Sequence, residues 1–171
     1  MKKVAQPTSR VKLRAYARKA RGLADAAEDQ PFPVVKFLEK VMLWLDYEMD
    51  IVPDSEMEEN YAETIPSLRI FRIRESVYEN AIRGYHRDRF TIAHEIAHLL
   101  FHDDITVTYA RNEKTIPAYM DPEWQANTFA AELLVPHSQI SGMTAEEISK
   151  KYCVSKKVAQ IQASYASKIP A

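Results

Sequence analysis

The chain has 171 residues, 46% hydrophobic and 27% charged, with a net charge of −1, which is the make-up of a globular protein with enough apolar material for its own core. A single cysteine, Cys153, rules out an internal disulfide framework, and no apolar run approaches the roughly 18 residues of a membrane span. With only three glycines there is no Gly-rich phosphate loop, and the lone thiol and the lack of an apolar leader point to a cytoplasmic protein.

The charge is unevenly spread. Residues 1–24 carry eight Lys or Arg and no acid, which leaves 15 basic against 24 acidic residues in the remainder. Such a basic start suits either a solvated helix face or an acidic partner such as nucleic acid, and the solvated face is the favoured reading. Thr8-Ser9 can cap a helix over Arg10–Glu28, which Pro31 and Pro33 stop. From Val34 to Tyr47 apolar residues recur at helical spacing, predicting an amphipathic helix. Ile51-Val52-Pro53 is a short extended piece. Residues 54–63, with Asp54, Glu56, Glu58, Glu59 and Glu63, read as an exposed acidic turn. Leu68–Arg74 alternates apolar and basic residues, predicting a half-buried strand whose arginines are either solvated or near a substrate. Val77–Ile82 is expected to pair with that strand or follow it.

Arg89–His102 is the centre of the sequence. It holds His94-Glu95-Ile96-Ala97-His98 in an apolar stretch free of Gly and Pro, so it is expected to be a buried helix. On a helix His94 and His98 stand one turn apart on one face, where two imidazoles can grip one metal ion. Glu95 is placed to reach a water on that ion as a base. His102 continues the same spacing, but helix drift makes it a supporting or helix-end residue rather than a ligand. Beyond the helix, Ile105–Tyr109 has strand character. Asp121-Pro122-Glu123 is a strong helix start, and that helix runs to Leu134 before Pro136. Thr144–Glu147 is a candidate capping box, and a last helix begins near Ser155.

A catalytic zinc site takes three protein ligands and leaves one position open. No third His follows at metzincin spacing, so the third ligand is expected from the helix over 123–134, which offers Glu123 and Glu132. Gln125, Asn127 and Thr128 on that helix are candidates to hold the ligands in place. Tyr109, Tyr119, His102 and His137 are candidates to stabilise a tetrahedral oxyanion.

Phe90–His102, followed by Asp121–Pro136, closely resembles the motifs of the ImmA/IrrE family of metallopeptidases, and Arg74–Glu79 is similar to the family as well. The resemblance implies an α+β, minimal zincin-like fold, mainly helical with a small antiparallel or mixed sheet. It implies His94, His98 and Glu123 as metal ligands, with Glu132 as the fallback, and Glu95 as the catalytic base. Zn2+ is the implied cofactor, with Mn2+ or Fe2+ able to take the same donors. The implied substrate is a protein, a helix-turn-helix repressor whose loss releases stress-response or mobile-element genes. A basic helical segment (1–30), a metallopeptidase domain (31–142) and C-terminal helices packed on it (143–171) are the expected organisation. Residues 145–161 also resemble a helix-turn-helix, but packing on the catalytic domain is favoured over direct DNA contact. The competing functional reading is a non-catalytic, metal-stabilised regulator that binds a repressor or DNA.

Overall fold

The computed structural model describes residues 2–102, 108–110 and 115–168, with the side chains of residue 2 and residues 108–110 outside that description. The fold is α+β, with a small mixed sheet beside a set of α-helices. The helices are α1 (Arg10–Leu23), α2 (Val34–Leu45), α3 (Glu75–Ile82), α4 (His86–Phe101), α5 (Pro122–Leu134), α6 (Ala145–Tyr152) and α7 (Lys156–Ala166). The strands are β1 (Lys2–Val4), β2 (Glu48–Val52), β3 (Ala62–Ile65), β4 (Ile70–Arg74) and β5 (Thr108–Ala110).

The three-stranded sheet has the order β2-β4-β3, with β2 parallel and β3 antiparallel to β4. The alternation in β4 works as a half-buried strand should: Phe71 and Ile73 are fully buried, and the arginines face outward. Arg72 lies in register with Asp50 on one neighbour and Glu63 on the other. It bonds both carboxylates, at 3.1 and 3.2 Å. Arg74 donates to the Met57 and Glu58 carbonyls, and Arg69 to that of Leu45. These arginines hold the sheet and its acidic turn together. Within that turn Asp54 accepts the backbone N–H and the hydroxyl of Ser76. It thereby caps the first turn of α3, whose own Arg74 supplies no side-chain cap.

Several expectations shift at element ends. The first helix was expected to reach Glu28 but stops at Leu23, and Asp25 turns the chain at φ 51°. The second stops at Leu45 with Asp46 in the left-handed region, φ 56°. Residues 77–82 form α3 rather than a strand, because Val77 and Ala81, one helical turn apart, are the pair that goes inward. β1 has no counterpart in the sequence reading. It pairs antiparallel with β5, which occupies the end of the strand expected over 105–109. Residues 103–107 and 111–114 lie outside the described residues. The capping box forms as expected: Thr144 accepts from the Glu147 N–H while the Glu147 carboxylate accepts from the Thr144 N–H.

One core joins all seven helices to β4. α5 is central to it, packed between α1 and α4. Phe129 is fully buried and meets Phe101 edge-on at 5.1 Å, while Phe101 stacks on Tyr16 of α1 at 5.2 Å. Burying an aromatic ring of that size contributes about 1.5–3 kcal/mol. Much of the basic N-terminal stretch is turned inward. Arg10 and Arg14 both bond Glu132, whose side chain is 1% exposed. The buried Arg21 donates to the carbonyls of Leu133, Ala27 and Gln30. Ile148, Tyr152, Val154 and Ala159 bring α6 and α7 into the same core, and buried Arg89 ties α4 to the turn between them through the Cys153 carbonyl.

Candidate metal centre

α4 presents its site residues along one face. His94 and His98 are half-buried, with Nε2 atoms 2.9 Å apart. Asp121 caps α5 by accepting the Glu123 N–H at 2.9 Å, and Pro122 sets the first helical residue. This start aims Glu123 at the two imidazoles, one carboxylate oxygen 3.3 Å from each Nε2. His94, His98 and Glu123 therefore bring their ligand atoms within 4.8 Å of one another. Glu132 is turned the other way, toward α1, where Arg10 and Arg14 hold it. The fallback third ligand thus lies apart from the His94, His98 and Glu123 cluster.

Hydrogen bonds around the cluster fix which nitrogen of each ring carries the proton. The Gln125 amide donates to the backbone carbonyls of Gln6 and Tyr119, both at 2.8 Å, so its Oε1 is an acceptor. His102 Nε2–H donates to that oxygen at 2.8 Å, leaving His102 Nδ1 bare. His98 Nδ1 lies 3.0 Å from it and must be the donor. The His98 Nε2 lone pair then faces the cluster. On the other ring, His94 Nδ1–H donates to Asn127 Oδ1 at 2.9 Å, and its Nε2 lone pair faces the same point. Two lone pairs and a carboxylate converging at these distances repel one another unless a cation lies among them. Two nitrogens and one oxygen form a donor set that suits Zn2+.

The electrostatics agree with a site built for positive charge. The two imidazoles beside it hold the Glu123 carboxyl far below the ordinary carboxylate range, against a smaller effect of burial. Burial would lower the His94 pKa, but the Glu123 and Glu95 carboxylates and Asn127 outweigh it and raise the value. Burial lowers that of His102, which fits its neutral role. Glu95 is half-buried, and its pKa is raised mainly by that burial, with the imidazoles opposing.

Glu95, His94 and Asn127 line a cleft of about 310 Å³ between α4 and the segment entering β3, from Glu59 to Ala62. The sequence reading missed this far wall, taking residues 54–63 as an exposed turn. Tyr61 was its one legible signal, an aromatic in an acidic run. Here Tyr61 lies between the guanidinium groups of Arg74 and Arg87 and bonds Arg87 through its hydroxyl. Of the polar positions on α5, Gln125 and Asn127 reach the site, and Thr128 lines a neighbouring groove instead. Of the oxyanion candidates, His137 sits 3.8 Å from Glu132, away from the cluster, and His102 is occupied with Gln125. Tyr119 reaches the site through its carbonyl. The Tyr109 side chain lies outside the described residues.

The family model described as the IrrE N-terminal-like domain, peptidase M78, matches residues 57–164. The chain belongs to this family. The matched span takes in α4, α5 and the whole His-His-Glu cluster, and it makes this a metallopeptidase-type domain for which a divalent metal is implied. No curated protein sequence matches the chain. Among solved structures it is similar in fold to a Mycobacterium tuberculosis transcriptional regulator, with a TM-score of 0.55 and 14% identity over 86% of this chain. The chain spans 44% of that protein's length. None of the helices among the described residues is long and apolar enough to cross a membrane.

Proposed function

We propose that this IrrE-type domain is a zinc-dependent endopeptidase with a protein substrate, using His94, His98 and Glu123 as ligands and Glu95 as its base. The observation that carries the reading is the convergence of the three donors at the wall of the cleft that also holds Glu95. The bound ion supplies Lewis acidity, activating a water and polarising the scissile carbonyl. Glu95 does the proton work. Its carboxylate takes a proton from the attacking water and passes it to the leaving amine. Burial suits it to this, since a base with a raised pKa holds the proton better between the two steps. Asn127 and His102 keep the imidazoles in the tautomers that the ligands need.

The cleft also favours an extended polypeptide. Among the described residues β3 is paired on one side only, with β4, and its first residue, Ala62, lines the cleft. A strand edge of this kind offers backbone groups to a peptide laid along it. The finer proposal, that the substrate is a helix-turn-helix repressor controlling stress or mobile-element genes, rests on the family resemblance. The regulator among the fold neighbours is in keeping with it.

Incubating the zinc-loaded protein with the repressor encoded beside its gene, with and without chelator, tests the reading. Cleavage is expected, dependent on metal and abolished by Glu95→Gln while zinc stays bound. Relief of repression that survives Glu95→Gln would instead establish the non-catalytic regulator.

A further inference from the structure

A second cavity, of about 650 Å³, opens beside the metal cleft, between α4, α5 and α7, with Arg10 of α1 at its end. That is ample room for several side chains. Its walls are apolar: Phe90, Trp124, Val158, Ile161 and Tyr165 line it. Ile161 is 41% exposed there. The charged side chains around these walls are of one sign. Arg10, Arg87 and Lys157 line the cavity, and among the described residues no Asp or Glu does. Arg10 is only partly neutralised, since it shares Glu132 with Arg14.

Phe90, Thr91 and Asn127 line both this cavity and the cleft of Glu95, so the two adjoin. One face of α4 makes their common floor. Phe90 and His86 lie one and two turns before His94, roughly 6 and 12 Å along the axis. An extended chain advances about 3.3 Å per residue, so this stretch of floor spans about two to four residues of a bound strand.

We propose that this cavity is the specificity pocket for the substrate, receiving a bulky apolar side chain with a neighbouring carboxylate two to four residues from the scissile bond. The inference rests on the peptidase reading. It gives α7 a task within the peptidase, as the wall that selects the substrate.

Two probes test it on the zinc-loaded full chain. One is a proteome-derived peptide library, with the cut ends read by mass spectrometry. The other is a fluorescein-labelled octapeptide with Asp-Leu-Phe-Glu at its centre, followed by anisotropy on Glu95→Gln protein, where no cleavage is needed. Lys157 and Ile161 are exposed, so changing them leaves the fold intact. Cut peptides are expected to be enriched in bulky apolar and acidic residues two to four positions from the cut. Lys157→Glu and Ile161→Ser each weaken octapeptide binding by about tenfold, the scale of one lost charge or apolar contact. A Lys-Leu-Phe-Lys octapeptide then binds the Lys157→Glu protein better than the wild type. Unchanged affinity in both variants, or cut peptides without that enrichment, overturns the pocket. So does a small aromatic sulfonate that binds through these residues where the octapeptide does not. An uncut library with octapeptide binding still sensitive to both changes supports the pocket and sinks the peptidase reading instead.

Discussion

His102 Nε2 lies 2.8 Å from Gln125 Oε1, and through this contact two backbone carbonyls set the protonation of a ring that never touches them. The order runs from the Gln6 and Tyr119 carbonyls to Gln125, to His102, to His98. Replacing Gln125 by Ala or His102 by Phe frees His98 to carry its proton on Nε2. Zinc affinity is expected to fall by about 10–100-fold, the usual cost of losing such support. Competition with a chromogenic chelator measures it.

The cluster should also couple metal to folding. Zinc at one hundred times its dissociation constant adds about 2.7 kcal/mol to the stability of a protein that binds it only when folded. The melting temperature of the wild type should therefore rise by several degrees on adding zinc. His94→Ala or Glu123→Ala removes that rise, and calorimetry with and without zinc reads it.

Glu132 gives the opposite pattern. Removing its buried carboxylate leaves the Arg10 and Arg14 charges without the anion that both bind. Glu132→Ala is expected to destabilise the chain by about 3–5 kcal/mol, with the zinc-induced rise in melting temperature kept. Urea denaturation separates this from the loss expected at a ligand position.

The pH dependence of stability should show the cap on α3. The Ser76 hydroxyl and N–H bond the Asp54 carboxylate and lower its pKa from the ordinary value. A lowered folded pKa gives a stabilisation that is complete above the unfolded value, about 3.9. It drains away as pH falls below that value toward the folded one. The stability difference between wild type and Asp54→Asn should be steady from pH 7 to 5 and shrink below about pH 4. A difference that grew on acidification would contradict this sign.

What the sequence disclosed follows from how local each signal is. The helix of His94 and His98, the Asp121 cap before Glu123 and the Thr144 capping box depend on neighbours within one turn, and all three form where the residues place them. Residues 77–82 stayed open between pairing with β4 and following it because Val and Tyr suit a strand as well as a helix, and only packing against the core decides. β1 was invisible because a three-residue strand exists only through its partner β5. Helix position left Glu123 and Glu132 both open as the third ligand, and only the family resemblance put Glu123 first. They differ by the nine residues that turn one toward α4 and the other toward α1, a distinction that only assembled helices make.

The carbonyl of Gln6 lies just past the ribbon that β1 makes with β5, and it accepts one of the two Gln125 amide protons. Gln6 thus serves as a distant footing for α4. Disturbing residues 2–6 would be felt at an imidazole on another element. Variants altered within residues 2–6 should then differ from the parent chain in how tightly they hold zinc.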